Sequence, residues 1–245
     1  MILLAAVALV ACGKDEPVTR AGTTTGGSGS ATMATTAATA ATATAPVQPR
    51  STRDGCKAVA APKPAANPNR RRSRQRLRAK RRYTAVIRTN CGTIKIRLDV
   101  KRAPKTTASF AGLARNKFFD GLTFHRIAKP GGNDYVIQGG DPLGTGDGGP
   151  GYTVVEPPPK GTRYRHYVVA MAKTQTEQPG TSGSQFFIVT AKEAPLDPDY
   201  ALLGKVVGGK NTVRRIAALP TDPAAEAPLD PVVMRSVRIR SSKRG

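Results

Sequence analysis

The chain is expected to fold as a predominantly β domain with two helices, and three observations carry that expectation. Seven or eight short segments between Tyr83 and Ile239 alternate apolar with polar residues or are rich in branched and aromatic side chains. Only two stretches carry helical signals. The N-terminal third is too poor in apolar residues to build a core. From Ala21 to Ala45 every residue except Met33 is Ala, Thr, Gly or Ser, and from Arg50 to Arg82 there are 13 Lys or Arg against one acid, Asp54. Neither stretch buries enough apolar surface to offset chain entropy. From Tyr83 onward about 160 residues remain, enough for one well-buried core. By pattern alone the architecture is a β-barrel or a sandwich; a barrel leaves no edge exposed, but the residues themselves do not choose between the two.

Tyr83 to Asn90 alternates, Cys91-Gly92 makes a turn, and Thr93 to Leu98 alternates again with Ile94, Ile96 and Leu98 on one face, which together read as a hairpin. Pro104 suits the first turn of a helix running to about Asn116. Ala108, Ala111, Leu113 and Ala114 supply its inner stripe, with Phe110 near them. Asp120-Gly121 ends the connection and Leu122 to Ile127 reads as a strand. Further strands are expected over Tyr135 to Gln138, Tyr167 to Ala172, Gln185 to Thr190, Leu202 to Val207 and Val232 to Ile239, and a second helix over Lys210 to Ala218.

The formal charge of +23 on 245 residues divides into about zero over 1–49, +12 over 50–82 and +11 over 83–245. Nine of the thirteen residues from Arg70 to Arg82 are basic. Such a run is a solvated, disordered spacer or an attachment to an anionic membrane or wall surface, where each basic group adds on the order of 1 kcal/mol. Nucleic acid is a poor match, since no aromatic residue interleaves the run and the N-terminus argues for export. Residues 2–10, Ile-Leu-Leu-Ala-Ala-Val-Ala-Leu-Val, form an apolar run too short to span a bilayer and suited to a signal-peptide core. It ends in Leu9-Val10-Ala11-Cys12-Gly13, which resembles the lipobox of bacterial lipoproteins, where the Cys is acylated after cleavage just before it. The departure from that pattern is that no Lys or Arg precedes the run.

The expected organisation is a signal peptide over 1–11, a disordered tether over 12–49, a basic, Pro-containing arm over 50–82 and a folded domain over 83–245, held outside the cytoplasm on a bacterial membrane by lipid on Cys12. Cys56 and Cys91 then remain in an oxidising compartment, where pairing is favoured. A bridge between them would pin the basic arm to the domain and contribute about 3–4 kcal/mol in the chain-entropy model. The alternative is two unrelated thiols, with Cys91 buried in a strand turn.

Several motifs lose their functional reading on context. Gly144-Thr-Gly146-Asp-Gly-Gly149 has the letters of a dinucleotide loop, but Pro150-Gly151 stands where a helix should start; it reads as a glycine-rich surface loop. Asp141 and Asp147 fit no calcium-loop spacing. Neither His125 nor His166 has an acid placed to orient it, and no nucleophile-elbow pattern is present. His125 therefore reads as structural. Against this background stand Phe124-His125-Arg126-Ile127, Val136-Ile137-Gln138-Gly139-Gly140-Asp141 and Gly183-Ser184-Gln185-Phe186-Phe187-Ile188. They put one Arg, one Gln and one Phe on strand-like segments with no activated nucleophile and no metal cluster, which suits a reaction that breaks no covalent bond.

In order and spacing those three segments resemble the signature blocks of the cyclophilin-type peptidyl-prolyl isomerases. The likeness continues through Asp141-Pro142, Gly149-Pro150-Gly151-Tyr152, Val169-Ala170-Met171-Ala172 and Leu196 to Val207, covering essentially residues 83–240. The resemblance implies a closed eight-stranded antiparallel β-barrel capped by two helices, with a substrate groove on its outside. It implies Arg126 as the catalytic arginine and Gln138 as its hydrogen-bonding partner. Tyr135, Val136, Phe187, Leu196 and Tyr200 would line the proline pocket, and the backbone of Ala172 and Lys173 with the side chain of Gln185 would hold the residues before the proline. It also implies a monomer that acts on proline-containing polypeptides without cofactor or metal.

Several positions depart from the family pattern. Pro195 stands where many members carry a groove Trp, Tyr200 where a His is usual, Tyr135 and Val136 where Phe and Met are usual, and Lys173 where Asn is usual; Gly131 to Asp134 lengthen the loop into the pocket. The expected function is isomerisation that assists folding of exported proteins. The alternative is a surface-anchored proline-peptide-binding chaperone with little turnover, a role for which Arg126 would be dispensable.

Overall fold

The computed structural model describes residues 55–63 and 69–243. The expected signal peptide and tether, and Cys12 with them, fall on residues outside those described. Twelve strands are present among those described: β1 (Arg81–Thr89), β2 (Gly92–Leu98), β3 (Phe124–Ala128), β4 (Val136–Gly139), β5 (Val154–Val155), β6 (Tyr164–Arg165), β7 (Val168–Met171), β8 (Thr181–Ser182), β9 (Phe186–Val189), β10 (Glu193–Ala194), β11 (Leu202–Gly208) and β12 (Met234–Lys243). Two α-helices, α1 (Pro104–Arg115) and α2 (Lys210–Ala217), accompany them.

Eight strands form one antiparallel sheet in the order β12-β1-β2-β11-β7-β9-β4-β3, and the remaining four pair off as two-residue ribbons, β10 with β6 and β5 with β8. Alternation explains the main sheet. Ala85 and Ile87 of β1 and Ile94, Ile96 and Leu98 of β2 turn inward, where Phe110, Leu113 and Ala114 of α1 and Val213 and Ile216 of α2 meet them in a single core. Four phenylalanines form its centre: Phe110 lies 4.7 Å from Phe119 and 5.7 Å from Phe186, and Phe124 lies 5.8 Å from Phe186, measured between ring centroids.

The expected closed barrel needs a correction. The sheet is strongly curled, but its end strands β3 and β12 share no ladder; a single bridge, Thr123 to Val233, joins them, flanked by Phe124 N–H to Val232 O (2.9 Å) and Met234 N–H to Leu122 O (2.7 Å). Beyond that point the outer edge of β3 is taken by a loop instead, since Ile127 N–H donates to Glu226 O at 2.8 Å. A strand cannot pair where another segment already uses the amides.

The packed part also begins earlier than Tyr83. Leu77 is 8% exposed and belongs to the main core. Arg70 N–H donates to Pro150 O (2.8 Å), Arg78 N–H to the Tyr83 hydroxyl (3.1 Å), and the Arg115 guanidinium to Gln75 Oε1 (2.6 Å). Ser73 lies so close to Gly112 that a Cβ there would stand 2.6 Å from the serine's, which accounts for a glycine inside α1. Composition hid this, because one Leu and a handful of backbone bonds suffice to dock a cationic segment whose charges stay in water.

Cys56 and Cys91 are joined by a disulfide. Asn90 ties the same region together: its side-chain amide donates to Lys57 O (2.8 Å) and Pro231 O (3.0 Å) and its Oδ1 accepts from Val233 N–H (2.9 Å). Among the described residues no helix is long and apolar enough to cross a membrane.

Candidate active site

The sheet's outer face carries a second apolar cluster. In it Ala128, Val136, Ala170, Phe187, Val189 and Leu202 pack around Tyr164, with Tyr135, Ala172, Leu196 and Tyr200 half-buried against them. Pairing explains the grouping. Gln138 stands opposite Phe187, Val136 opposite Val189, and Ala170 opposite Phe187, so these residues face out while Ile137 and Ile188 between them face the core.

Arg126 joins this face because of an irregularity. Phe124 pairs with Gly139 and Arg126 with Gln138, with a bulge between them at His125. Without the extra residue, period two would place Arg126 in the core beside Phe124; the bulge turns it out next to Gln138. Its guanidinium is held from two sides. Nε donates to Glu226 Oε2 at 2.6 Å, and Nη1 donates to Gln138 Oε1 at 3.4 Å. Gln138 Nε2 donates in turn to Gln185 Oε1 (2.9 Å), and Gln185 Nε2 donates to Gly146 O (2.6 Å) and Gly148 O (2.9 Å). A polar chain thus runs from Glu226 through Arg126, Gln138 and Gln185 into the glycine-rich loop.

That loop is shaped by Asp141, whose buried carboxylate accepts from Leu143 N–H (2.8 Å) and Gly146 N–H (2.5 Å). Gly148 lies against it so closely that a Cβ would overlap the carboxylate. A cleft of about 760 Å³ opens beside Gln138 and Gln185, with Gly146, Lys173 and, from the basic arm, Asn69 among its walls. No group of three or more His, Cys, Asp or Glu positioned to hold a metal occurs among the described residues.

On the other side of Arg126 lies the apolar patch. The Phe187 and Tyr200 rings meet edge to face at 5.4 Å, and both rest on Tyr164. The Tyr164 hydroxyl donates to Tyr200 O (2.7 Å) and accepts from Tyr200 N–H (2.9 Å), fixing the segment that carries Leu196 and Tyr200. Burial pushes the Tyr164, Tyr200 and Tyr135 phenols up, so all three are neutral at physiological pH. Lys173 places its ammonium 5.6 Å from the Tyr200 ring centre and donates to Thr174 O and Glu177 O, both at 3.0 Å. Ala172 N–H is spent on Gln185 O (2.9 Å).

Of the residues singled out from sequence, Gln138, Ala172, Lys173 and Gln185 line the cleft, Tyr135, Val136, Ala172, Phe187, Leu196 and Tyr200 belong to the patch, and Arg126 is tied to the first set through Gln138. Both Nε2 hydrogens of Gln185 are spent on the loop, and its Oε1, which accepts from Gln138, keeps a second lone pair for a further donor. Two contributors carried no sequence signal. Glu226 sits in Ala-Ala-Glu-Ala-Pro, a loop without period, and Tyr164 lies on a two-residue strand; only their partners reveal them.

The antiparallel sheet buries one face in the core and carries on the other an apolar patch beside an arginine held by Glu226 and Gln138, the arrangement of an enzyme that works on its outer sheet face. Residues 84–239 match the family model of cyclophilin type peptidyl-prolyl cis-trans isomerases, and the chain belongs to that family. It is 38% identical over 175 residues to peptidyl-prolyl cis-trans isomerase B of Streptomyces anulatus, covering 64% of this chain and 96% of the relative. Peptidyl-prolyl cis-trans isomerase A of Mycobacterium tuberculosis is 38% identical over 174 residues, covering 64% and 91%. Among solved structures, a cyclophilin type isomerase of Cryptosporidium parvum, crystallised in the presence of the dipeptide Ala-Pro, superposes with a TM-score of 0.59 at 30% identity, covering 65% of this chain and 99% of that one.

Proposed function

We propose that this isomerase accelerates cis/trans rotation of X-Pro bonds in exported polypeptides, with Arg126 stabilising the twisted state. Rotation of the amide costs about 18–20 kcal/mol because resonance is lost. As the bond twists, the proline nitrogen becomes pyramidal and regains a lone pair. A guanidinium beside it then binds the twisted state more strongly than the planar one, which is what lowers a barrier. The patch of Val136, Phe187, Leu196 and Tyr200 grips the ring while the acyl side turns, and it excludes water from the contact. Gln138 contributes to holding Arg126. No proton transfer or cofactor is needed.

The observation that carries this reading is Arg126 held by Glu226 and Gln138, the latter paired with Phe187 of the apolar patch. The test is isomerisation of a proline tetrapeptide by the chain with its arm intact; a fragment starting near residue 80 would lose Leu77 and the disulfide and is not a fair substrate for it. Arg126→Ala should lose about 10²- to 10³-fold in kcat/KM, and unchanged activity would dismiss the mechanism. Low turnover in the wild type with tight proline-peptide binding would favour the chaperone reading instead.

The export and anchoring part of the proposal rests on residues 2–12 and on the Cys56–Cys91 disulfide, a bond that persists in oxidising compartments. Mass spectrometry of the mature protein from a bacterial membrane should find Cys12 acylated at its new N-terminus; a soluble product with Cys12 unmodified would refute it. The basic arm is proposed to favour anionic membrane or wall surfaces, with binding that weakens steeply in salt.

A further inference from the structure

We infer that Glu226 is the positioning residue for Arg126, setting the plane of its guanidinium for the isomerisation step; this rests on the reading of Arg126 given above. The Glu226 contact is the tighter of the two that hold the guanidinium, 2.6 Å to Nε against 3.4 Å from Nη1 to Gln138, and the second is beyond the usual range for N–H···O bonds. The loop that presents Glu226 is constructed around it. Glu226 adopts a left-handed φ of 53°, a conformation a non-glycine residue keeps only when its surroundings over-determine it.

Those surroundings are visible. Glu226 N–H donates to Asp222 O (2.8 Å), Asp222 N–H to Ala227 O (2.8 Å), and the Asp222 carboxylate accepts from Ala224 N–H (2.9 Å) and Ala225 N–H (2.8 Å). Thr221 bridges to Pro228 at the loop's neck. Glu226 O then accepts from Ile127 N–H (2.8 Å), the residue directly after Arg126, so loop and strand are tied backbone to backbone beside the side chains that meet. The two side chains remain 41% and 31% exposed. An ion pair that open to water adds little to stability, so a left-handed glutamate is poorly explained as a staple.

Its effect on the reaction is geometric. The nitrogen lone pair develops on one side of the ring, and a guanidinium free to turn about its last bonds would meet it in only a fraction of orientations. With Nε spent on Glu226 and Nη1 turned toward Gln138, the plane is defined and Nη2 is the nitrogen without a protein acceptor among the described residues.

The experiment compares wild type, Glu226→Ala, Glu226→Gln, Arg126→Ala and the double variant Glu226→Ala/Arg126→Ala, in kcat/KM and in peptide affinity. Glu226→Ala should lower kcat/KM about tenfold with affinity unchanged, Glu226→Gln should recover part of the loss through its remaining acceptor, and Glu226→Ala should have no further effect once Arg126 is gone. Full activity of Glu226→Ala, or an equal loss in the Arg126→Ala background, would overturn the inference. A second readout separates it from the reading of Arg126 itself: the Nε–H proton NMR signal of Arg126 should exchange slowly in the wild type and rapidly in Glu226→Ala. If Arg126→Ala proves fully active, the mechanism falls while this signal still decides whether Glu226 positions the arginine; slow exchange retained in Glu226→Ala refutes the positioning.

Discussion

His125 shows how one residue can matter without touching chemistry. It occupies the bulge that turns Arg126 outward, and both ring nitrogens are buried without a hydrogen-bond partner among the described residues. Burial pulls its pKa below the ordinary value of 6.5 and the Arg126 charge pulls the same way, while Asp141 pulls against them. The folded state therefore holds His125 neutral while the unfolded chain takes up a proton once pH falls below about 6.5. The unfolded state binds more protons in that window, so stability should fall as pH drops through 6.5 toward the lower folded value and level off beneath it. Urea unfolding at stepped pH should show this slope in the wild type and a shallower one in His125→Gln; equal slopes would show that His125 is not the group responsible. At this scale the sequence was informative about residue types and weak on their partners. The spacing of Phe124 and Ile127, three apart on a strand, already departs from period two, yet which residue bulges and which way Arg126 then points follow only from pairing with β4. Glu226 is invisible beforehand because its role depends on a residue a hundred positions earlier.

Among the elements, α1 depends on a cap that arrives from elsewhere. Its N-cap is Ala103, which offers no side-chain bond, and the missing acceptor is Glu156, whose carboxylate takes Lys105 N–H at 2.9 Å and Thr106 N–H at 2.7 Å. A negative charge on two orphan amides also suits the positive end of the helix. Glu156→Ala should cost about 1 kcal/mol, as loss of a side-chain cap does, read from the midpoint of chemical denaturation with the slope unchanged; no shift would mean that water serves the helix end equally well. The eight strands of the main sheet were legible as short runs that alternate or are rich in branched and aromatic residues, and α1 from Pro104 and its apolar stripe. The ribbons β5, β6, β8 and β10 were not, since two residues carry no period. Nor was the docking of 69–80, where Leu77 is the sole apolar anchor in a field of arginines.

At the largest scale, the described parts of the basic arm, residues 55–63 and 69–82, are tied to the curled sheet and its core. The Cys56–Cys91 link closes a separation of 35 residues, and Arg215 donates to Cys91 O at 2.7 Å on its far side. Replacing both cysteines with Ala should lower stability by about 2–4 kcal/mol and raise hydrogen exchange at Lys57 and Asn90, whose mutual bonds depend on the same junction; unchanged exchange there would mean the segment is held without the bridge. The groove faces away from the core on the outer side of the sheet, so activity and folding stability should separate cleanly in variants of Arg126. The most direct measurement of the account is exchange NMR on a proline peptide at equilibrium with catalytic amounts of the protein. Wild type should produce cis/trans exchange cross-peaks, and Arg126→Ala should bind the peptide with similar affinity while those cross-peaks weaken by about 10²-fold or more in rate. Exchange at the wild-type rate in Arg126→Ala would contradict the claim that this arginine stabilises the twisted bond.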